Sequence, residues 1–166
     1  VSAALKERLV DLGAAKNKIT VLRNGVDLSF FHPAEHRERL RQSLGIRDKM
    51  LISVGNLVEL KGHHLVIEAM KSLPDYQLFV IGSGEQRQAL SDLVASSGLE
   101  GRVALTGGMS PEKLRDYFQA ADALVLASSR EGWANVLLES MACGTPVVAT
   151  KVGGNSEVVS VPEAGY

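Results

Sequence analysis

Hydrophobic and polar positions along the chain follow two rhythms. Five short, mainly apolar runs, at residues 50–54, 78–81, 103–106, 123–126 and 146–150, lie too far apart for hairpins. That pattern predicts strands of a parallel sheet buried on both faces. Between the runs, apolar residues recur with helical spacing: Leu65, Val66, Ala69, Met70 and Leu73; Leu90, Leu93 and Val94; Leu114, Tyr117, Phe118 and Ala121. Ser110 and Pro111 supply an N-cap and a first-turn proline for the third of these helices, with Glu112 set favourably against its dipole. Strand and helix therefore alternate. Right-handed crossovers then give an open, doubly wound α/β sheet, mainly parallel, with helices on both faces. Ligands of such sheets lie beyond the carboxyl ends of the strands, so the strand-to-helix loops are where chemistry is expected.

The region ahead of the first core strand is more polar and less regular. It predicts a helix from about residue 3 to 12, a short strand at 19–22, a turn at Asn24-Gly25 and a charged helix over 37–44. No repeat, low-complexity tract or Gly/Ser/Pro linker divides the 166 residues, so the chain reads as one domain. Both ends read as cut: the start is already a helix with no preceding strand, and residues 161–166 stop in a loop where such a domain normally continues to closing helices.

Composition narrows the function classes. A net charge of -1 gives no electrostatic case for nucleic acid or for wrapping an anionic membrane. Cys143 is the only cysteine, which excludes a disulfide framework or Cys-rich metal site and fits a reducing, cytoplasmic compartment with the thiol as neutral packing. No apolar run approaches the roughly 18 residues of a membrane span, and the first twelve residues, broken by Lys6, Glu7, Arg8 and Asp11, are unlike a signal peptide.

Three loops carry the candidate chemistry. After the first core strand, Lys61 stands between a strand end and a helix beginning near His63, with Gly55 and Gly62 permitting close backbone approach. It is placed to meet a phosphate, and it reads equally as a solvated surface lysine. His63 and His64 have no companion at ligand spacing, so no metal site is expected. The second strand ends in Gly82-Ser83-Gly84. This turn suits a nucleotide near the backbone or is simply tight, and Arg87 stands where a dinucleotide fingerprint needs its third glycine. The fourth strand leads into Glu131-Gly132-Trp133-Ala134-Asn135-Val136 and on to Glu139. On one continuous helix the two carboxylates would stand about 12 Å apart, too far to share a small group. With Glu131 in a loop and a helix starting near Ala134, one elongated ligand reaches both. A phosphate would rest on the N–H groups of Asn135 and Val136, and Glu139 would accept hydrogen bonds from vicinal hydroxyls. The neighbours Leu137, Leu138 and Met141 make this helix largely buried, so Glu139 needs a partner.

Taken together, these loops resemble the C-terminal domain of the retaining glycosyltransferases with the GT-B fold known as group 1 or family 4. The resemblance is carried by Asn24-Gly25-Val26-Asp27, Gly55 to Gly62, Gly82-Ser83-Gly84, Leu105-Thr106-Gly107, Tyr117 to Asp122, the Glu131/Glu139 pair, Gly144-Thr145-Pro146-Val147-Val148, and Gly153-Gly154 with Glu157. It implies a Rossmann-like half of a two-domain enzyme that binds a nucleoside diphosphate sugar and faces a missing N-terminal acceptor domain, to which any membrane association would belong. By the same resemblance Lys61 pairs with the diphosphate, Gly82 and Gly84 let the nucleotide approach, the backbone around Met109 contacts the base, and Glu139 holds the ribose. Glu131, with the amides of Trp133, Ala134, Asn135 and Val136, holds the transferred sugar. Retention is explained in this family by same-face attack, the leaving diphosphate helping to take the acceptor proton; no metal or other cofactor is implied. Asn56 stands where family members commonly carry an arginine that clamps the diphosphate, so a neutral donor replaces a charged fork. Two other readings remain: a nucleotide-sugar-binding module without catalysis, and another GT-B enzyme such as a sugar-nucleotide epimerase. A glycan phosphorylase would need a pyridoxal-phosphate lysine, for which no motif is present.

Overall fold

The structure is a computed structural model that describes residues 2–160. Its centre is a five-stranded, all-parallel sheet of β1 (Lys49–Val54), β2 (Tyr76–Ile81), β3 (Val103–Gly107), β4 (Ala123–Leu126) and β5 (Val147–Ala149), in the order β3-β2-β1-β4-β5. The order reverses beside β1, where the chain stops adding strands on one side and crosses to the other. That reversal opens a crevice at the carboxyl ends of β1 and β4.

Side-chain alternation along the strands builds two cores. Met50, Ile52 and Val54 of β1 join Leu124, Leu126 and Val147 beneath α2 (Arg37–Ser43), α5 (Pro111–Ala120) and α6 (Asn135–Ala142). On the other face Leu51, Leu78, Val80 and Val103 pack against Val66, Ile67, Leu90 and Val94 of α3 (His63–Ala69) and α4 (Arg87–Ser96). Burying a side chain such as Phe118 or Leu137 contributes about 1.5–3 kcal/mol. The α3 face is incompletely covered: Leu51, Leu65, Ala123, Val125 and Val148 line an open apolar groove of about 430 Å³. Cys143 lies in the first core, where burial pushes its thiol up to about 11, so it stays a neutral packing group.

The helix ends follow local chemistry. Ser110 accepts from the Lys113 N–H and Pro111 opens α5, as its sequence predicts. Ahead of the sheet, α1 (Ala3–Asp11) is capped by Ser2 and also by Glu157 of α7 (Asn155–Val158), whose carboxylate accepts from the Ala3 and Ala4 N–H groups and pairs with Arg23 at 2.9 Å. The strand expected at 19–22 does not form. Among the described residues no strand ladder includes that stretch, and the Ile19 carbonyl accepts from Lys6 Nζ. The expected loop at 161–166 lies outside the described residues.

Asp122 ties α2 to the sheet. Its carboxylate accepts from Arg37 at 2.7 Å, from Arg41 at 3.2 Å and from the Met50 N–H at 2.7 Å. Burial alone would raise its pKa, but the Met50 N–H and the two guanidinium groups together hold it below the ordinary value. The stability this contributes is therefore complete above the unfolded-state pKa of about 3.9 and is lost as pH falls through the depressed folded value. Asp122→Asn is expected to cost about 1–2 kcal/mol at neutral pH and less in acid. Urea unfolding at pH 7 and pH 3 checks this: an equal loss at both would remove Asp122 from the acid response.

Candidate functional site

Four loops at the carboxyl ends of the strands are joined into one surface by main-chain hydrogen bonds. Gly55 N–H donates to Ile81 O, Leu57 N–H to Ser83 O, Gln86 N–H to Leu57 O, Gly82 N–H to Gly107 O and Ser129 N–H to Leu60 O, all between 2.9 and 3.0 Å. Contacts this close need glycine at particular points. A Cβ on Gly82 would stand 1.8 Å from the Gly55 oxygen, and one on Gly153, at φ +50°, would stand 1.6 Å from the Glu131 oxygen. The glycines singled out in the sequence thus let the loops press together, and at Gly82 the steric demand comes from the protein's own backbone.

Lys61 and Glu131, seventy positions apart in the chain, meet in this surface. Lys61 ends a 3-10 turn (Glu59–Lys61), and its stem runs along Gly55, where a Cβ would lie 3.5 Å from its Cδ. Its Nζ donates to Glu131 Oε1 at 2.5 Å, and Ser128 Oγ donates to the same oxygen at 2.7 Å. Glu131 Oε2 has no hydrogen bond among the described residues, so it remains open to a further donor. Ser128, wholly buried at the end of β4, was not singled out by the sequence reading. The available signal was a polar residue closing an apolar strand, three positions before a candidate glutamate.

Beyond Glu131 the chain enters α6 as the sequence predicts, with Ala134 as its N-cap and no side-chain cap. Leu137 N–H bonds back to Ala134 O at 3.1 Å, so the Asn135 and Val136 N–H groups open the helix without an earlier turn to receive them. Asn24, from the irregular N-terminal segment, reaches the same end and donates to Asn135 Oδ1 at 3.1 Å. Trp133 lies beside Arg23, and its indole Nε1 is buried without a hydrogen bond among the described residues. Glu139 is half-buried inside α6, its carboxylate accepts no hydrogen bond among the described residues, and burial raises its pKa. Asn56 is exposed in the first loop, and Met109 is half-buried just after β3. His63 is a packing residue: its Nδ1 lies 2.9 Å from the buried Ser53 hydroxyl, and burial holds its pKa below the ordinary value.

A cation beside a fixed carboxylate, free N–H groups at the start of α6 and, one turn further along that helix, a glutamate whose carboxylate has no hydrogen bond among the described residues can meet a ligand with an anionic middle and hydroxylated ends.

The chain is similar in sequence and in fold to glycosyltransferases. An uncharacterized glycosyltransferase of Methanocaldococcus jannaschii is 33% identical over 168 residues, covering 96% of this chain and 43% of its own. A D-inositol 3-phosphate glycosyltransferase of Corynebacterium urealyticum is 35% identical over 165 residues, covering 90% of this chain and 39% of its own. The crystal structure of Anabaena HepE in complex with UDP-glucose superposes with a TM-score of 0.86 at 28% identity, over 94% of this chain and 45% of that one. The chain thus spans less than half the length of these relatives, and the sheet and its helices are those of a GT-B glycosyltransferase domain. No helix among the described residues is long and apolar enough to cross a membrane. Residues 36–166 match the family model described as glycosyl transferases group 1, and the chain belongs to that family.

Proposed function

We propose that these residues form the donor-binding half of a retaining glycosyltransferase, which binds a nucleoside diphosphate sugar and passes the sugar to an acceptor held by a second domain. The observation that carries this reading is the ion pair of Lys61 with Glu131, which precedes the start of α6 by four residues with no side-chain cap between, at the topological switch point of the sheet. The diphosphate lies between Lys61 and the Asn135 and Val136 N–H groups, so its charge is met without a metal. Gly82 and Gly84 let the loop after β2 pack against the Gly55 and Leu57 backbone beside it, and Asn56 adds a neutral donor at the rim. The base lies by the main chain at Met109, and the ribose diol lies on Glu139, which supplies the partner that this carboxylate lacks. The sugar lies between Glu131 and the amides of Trp133 and Ala134. The enzyme works in the cytoplasm, and contact with a membrane-borne acceptor belongs to its other domain. The open apolar groove on the α3 face supports a larger whole, in which closing helices pack against the sheet.

A thermal-shift series with UDP, GDP and ADP and their glucose conjugates tests the reading, because a ligand that binds only the folded chain raises its Tm. One nucleotide and its conjugate are expected to stabilise the 166-residue chain, and the chain alone is expected to transfer no sugar. If none of them raises Tm, the donor-site reading fails.

Glu139→Gln is expected to raise the donor KM about tenfold in the two-domain enzyme with little change in kcat, since a ribose contact is made alike in the ground and transition states. Replacing a half-buried, unpaired charge by an amide should leave Tm unchanged or slightly higher. Because the Glu139 pKa is raised, donor affinity should begin to fall with acidification above the ordinary carboxylate range. A KM profile carried from neutral pH down through the ordinary carboxylate range reads this, and a flat profile would take Glu139 off the ribose.

A further inference from the structure

Lys61 already has a partner within the protein. Glu131, whose side chain is only 9% exposed, occupies Lys61 Nζ, while Ser128 donates a second hydrogen bond to the same carboxylate oxygen. The two partners are held very differently. The Glu131 main chain is pressed against Gly153, and the Ser128 carbonyl accepts from Thr150 Oγ1 at 2.5 Å. Lys61, 26% exposed, lies along the open side of Gly55 on a flexible stem. When a phosphate arrives, the lysine can swing and the glutamate cannot.

A fixed negative charge beside the phosphate-binding lysine discriminates between ligands. A bare nucleoside diphosphate ends in a terminal phosphate whose further oxygen is ionised near neutral pH, and this group must share Lys61 with Glu131. A nucleoside diphosphate sugar ends instead in a neutral ring of hydroxyl donors, which the open Glu131 Oε2 can accept. From this we infer that Glu131, held by Ser128, is a specificity-determining group that makes the site favour the sugar-bearing nucleotide over the free nucleoside diphosphate left after transfer. Ser128 is its positioning residue. The inference rests on the proposed contact of Lys61 with the diphosphate.

Calorimetry near neutral pH on the 166-residue chain tests it, with UDP, GDP and ADP and their glucose conjugates as probes. The proteins compared are the wild type and the Glu131→Gln, Ser128→Ala and Lys61→Ala variants, each checked for folding by circular dichroism. In Glu131→Gln the bare nucleoside diphosphate is expected to bind about three- to tenfold more tightly, the scale of one like-charge contact at a partly exposed site, while the conjugate does not gain. Ser128→Ala should move the ratio of the two affinities the same way by a smaller factor, a change that a purely structural serine would not produce. Should Ser128→Ala fail to fold, the Glu131→Gln ratio still decides the matter. An unchanged ratio in Glu131→Gln, with Lys61→Ala still weakening both ligands, overturns this inference and leaves the donor site standing. If wild type binds no probe, or Lys61→Ala binds as well as wild type, both fall together.

Discussion

Replacing Glu131 by glutamine in the two-domain enzyme is expected to lower the rate of the chemical step about 10²–10³-fold, with a much smaller effect on donor KM. The amide keeps the shape of the side chain and can still meet Ser128 and Lys61. It loses the negative charge that would face the anomeric carbon as positive charge develops there. That charge is set in place by the protein itself, because Ser128 and Lys61 hold the carboxylate while the Glu131 main chain packs against Gly153. An interaction felt mainly in the transition state lowers kcat and leaves ground-state binding nearly intact. Single-turnover measurement is the right assay, because the variant is also expected to hold nucleoside diphosphate longer, and slow product release would lower steady-state kcat by itself. A single-turnover rate equal to the parent's would remove Glu131 from catalysis and favour a binding-only module.

Lys61→Ala is expected to weaken nucleoside diphosphate binding by about 1.5–3 kcal/mol, the scale of a hydrogen bond to a charged group. In the first loop the other candidate, Asn56, is neutral and exposed, so it cannot replace the lost cation. The same change strips Glu131 of its ion pair and leaves a carboxylate next to the incoming phosphate, which adds repulsion to the lost attraction. Lys61→Met, which keeps much of the stem along Gly55, controls for packing. Calorimetry should show a similar loss for both variants. Unchanged affinity in both would return Lys61 to the status of a surface lysine whose partner is Glu131 alone.

Much of this was legible along the chain because it depends on neighbours in sequence. A mainly apolar run such as 50–54 marks a strand buried on both faces wherever it sits, and Ser110-Pro111 starts a helix by its own geometry. Gly132 ahead of Ala134 separates a loop glutamate from a helical one, so the different settings of Glu131 and Glu139 could be read without coordinates. At 19–22 the same logic failed. Apolar content there does suit a strand, but a strand exists only with a ladder, and among the described residues no ladder joins that segment to the five-stranded sheet.

By itself, then, the sequence determined the alternation of strands and helices, the loops at which chemistry should be sought, and the residue types that bear charge there. Only the tertiary structure decided which of these residues meet. The order β3-β2-β1-β4-β5 sets the loop after β1 beside the loop after β4, and this brings Lys61 to Glu131 across seventy positions. It also made Ser128 a donor to that glutamate, set Glu157 at the start of α1, and left the half-buried Glu139 carboxylate with no hydrogen bond among the described residues. The physical reason is that helix and strand periodicity are local properties of the backbone, whereas an ion pair depends on distance in space. That distance is set by the packing of β1 against β4, in which neither Lys61 nor Glu131 takes part.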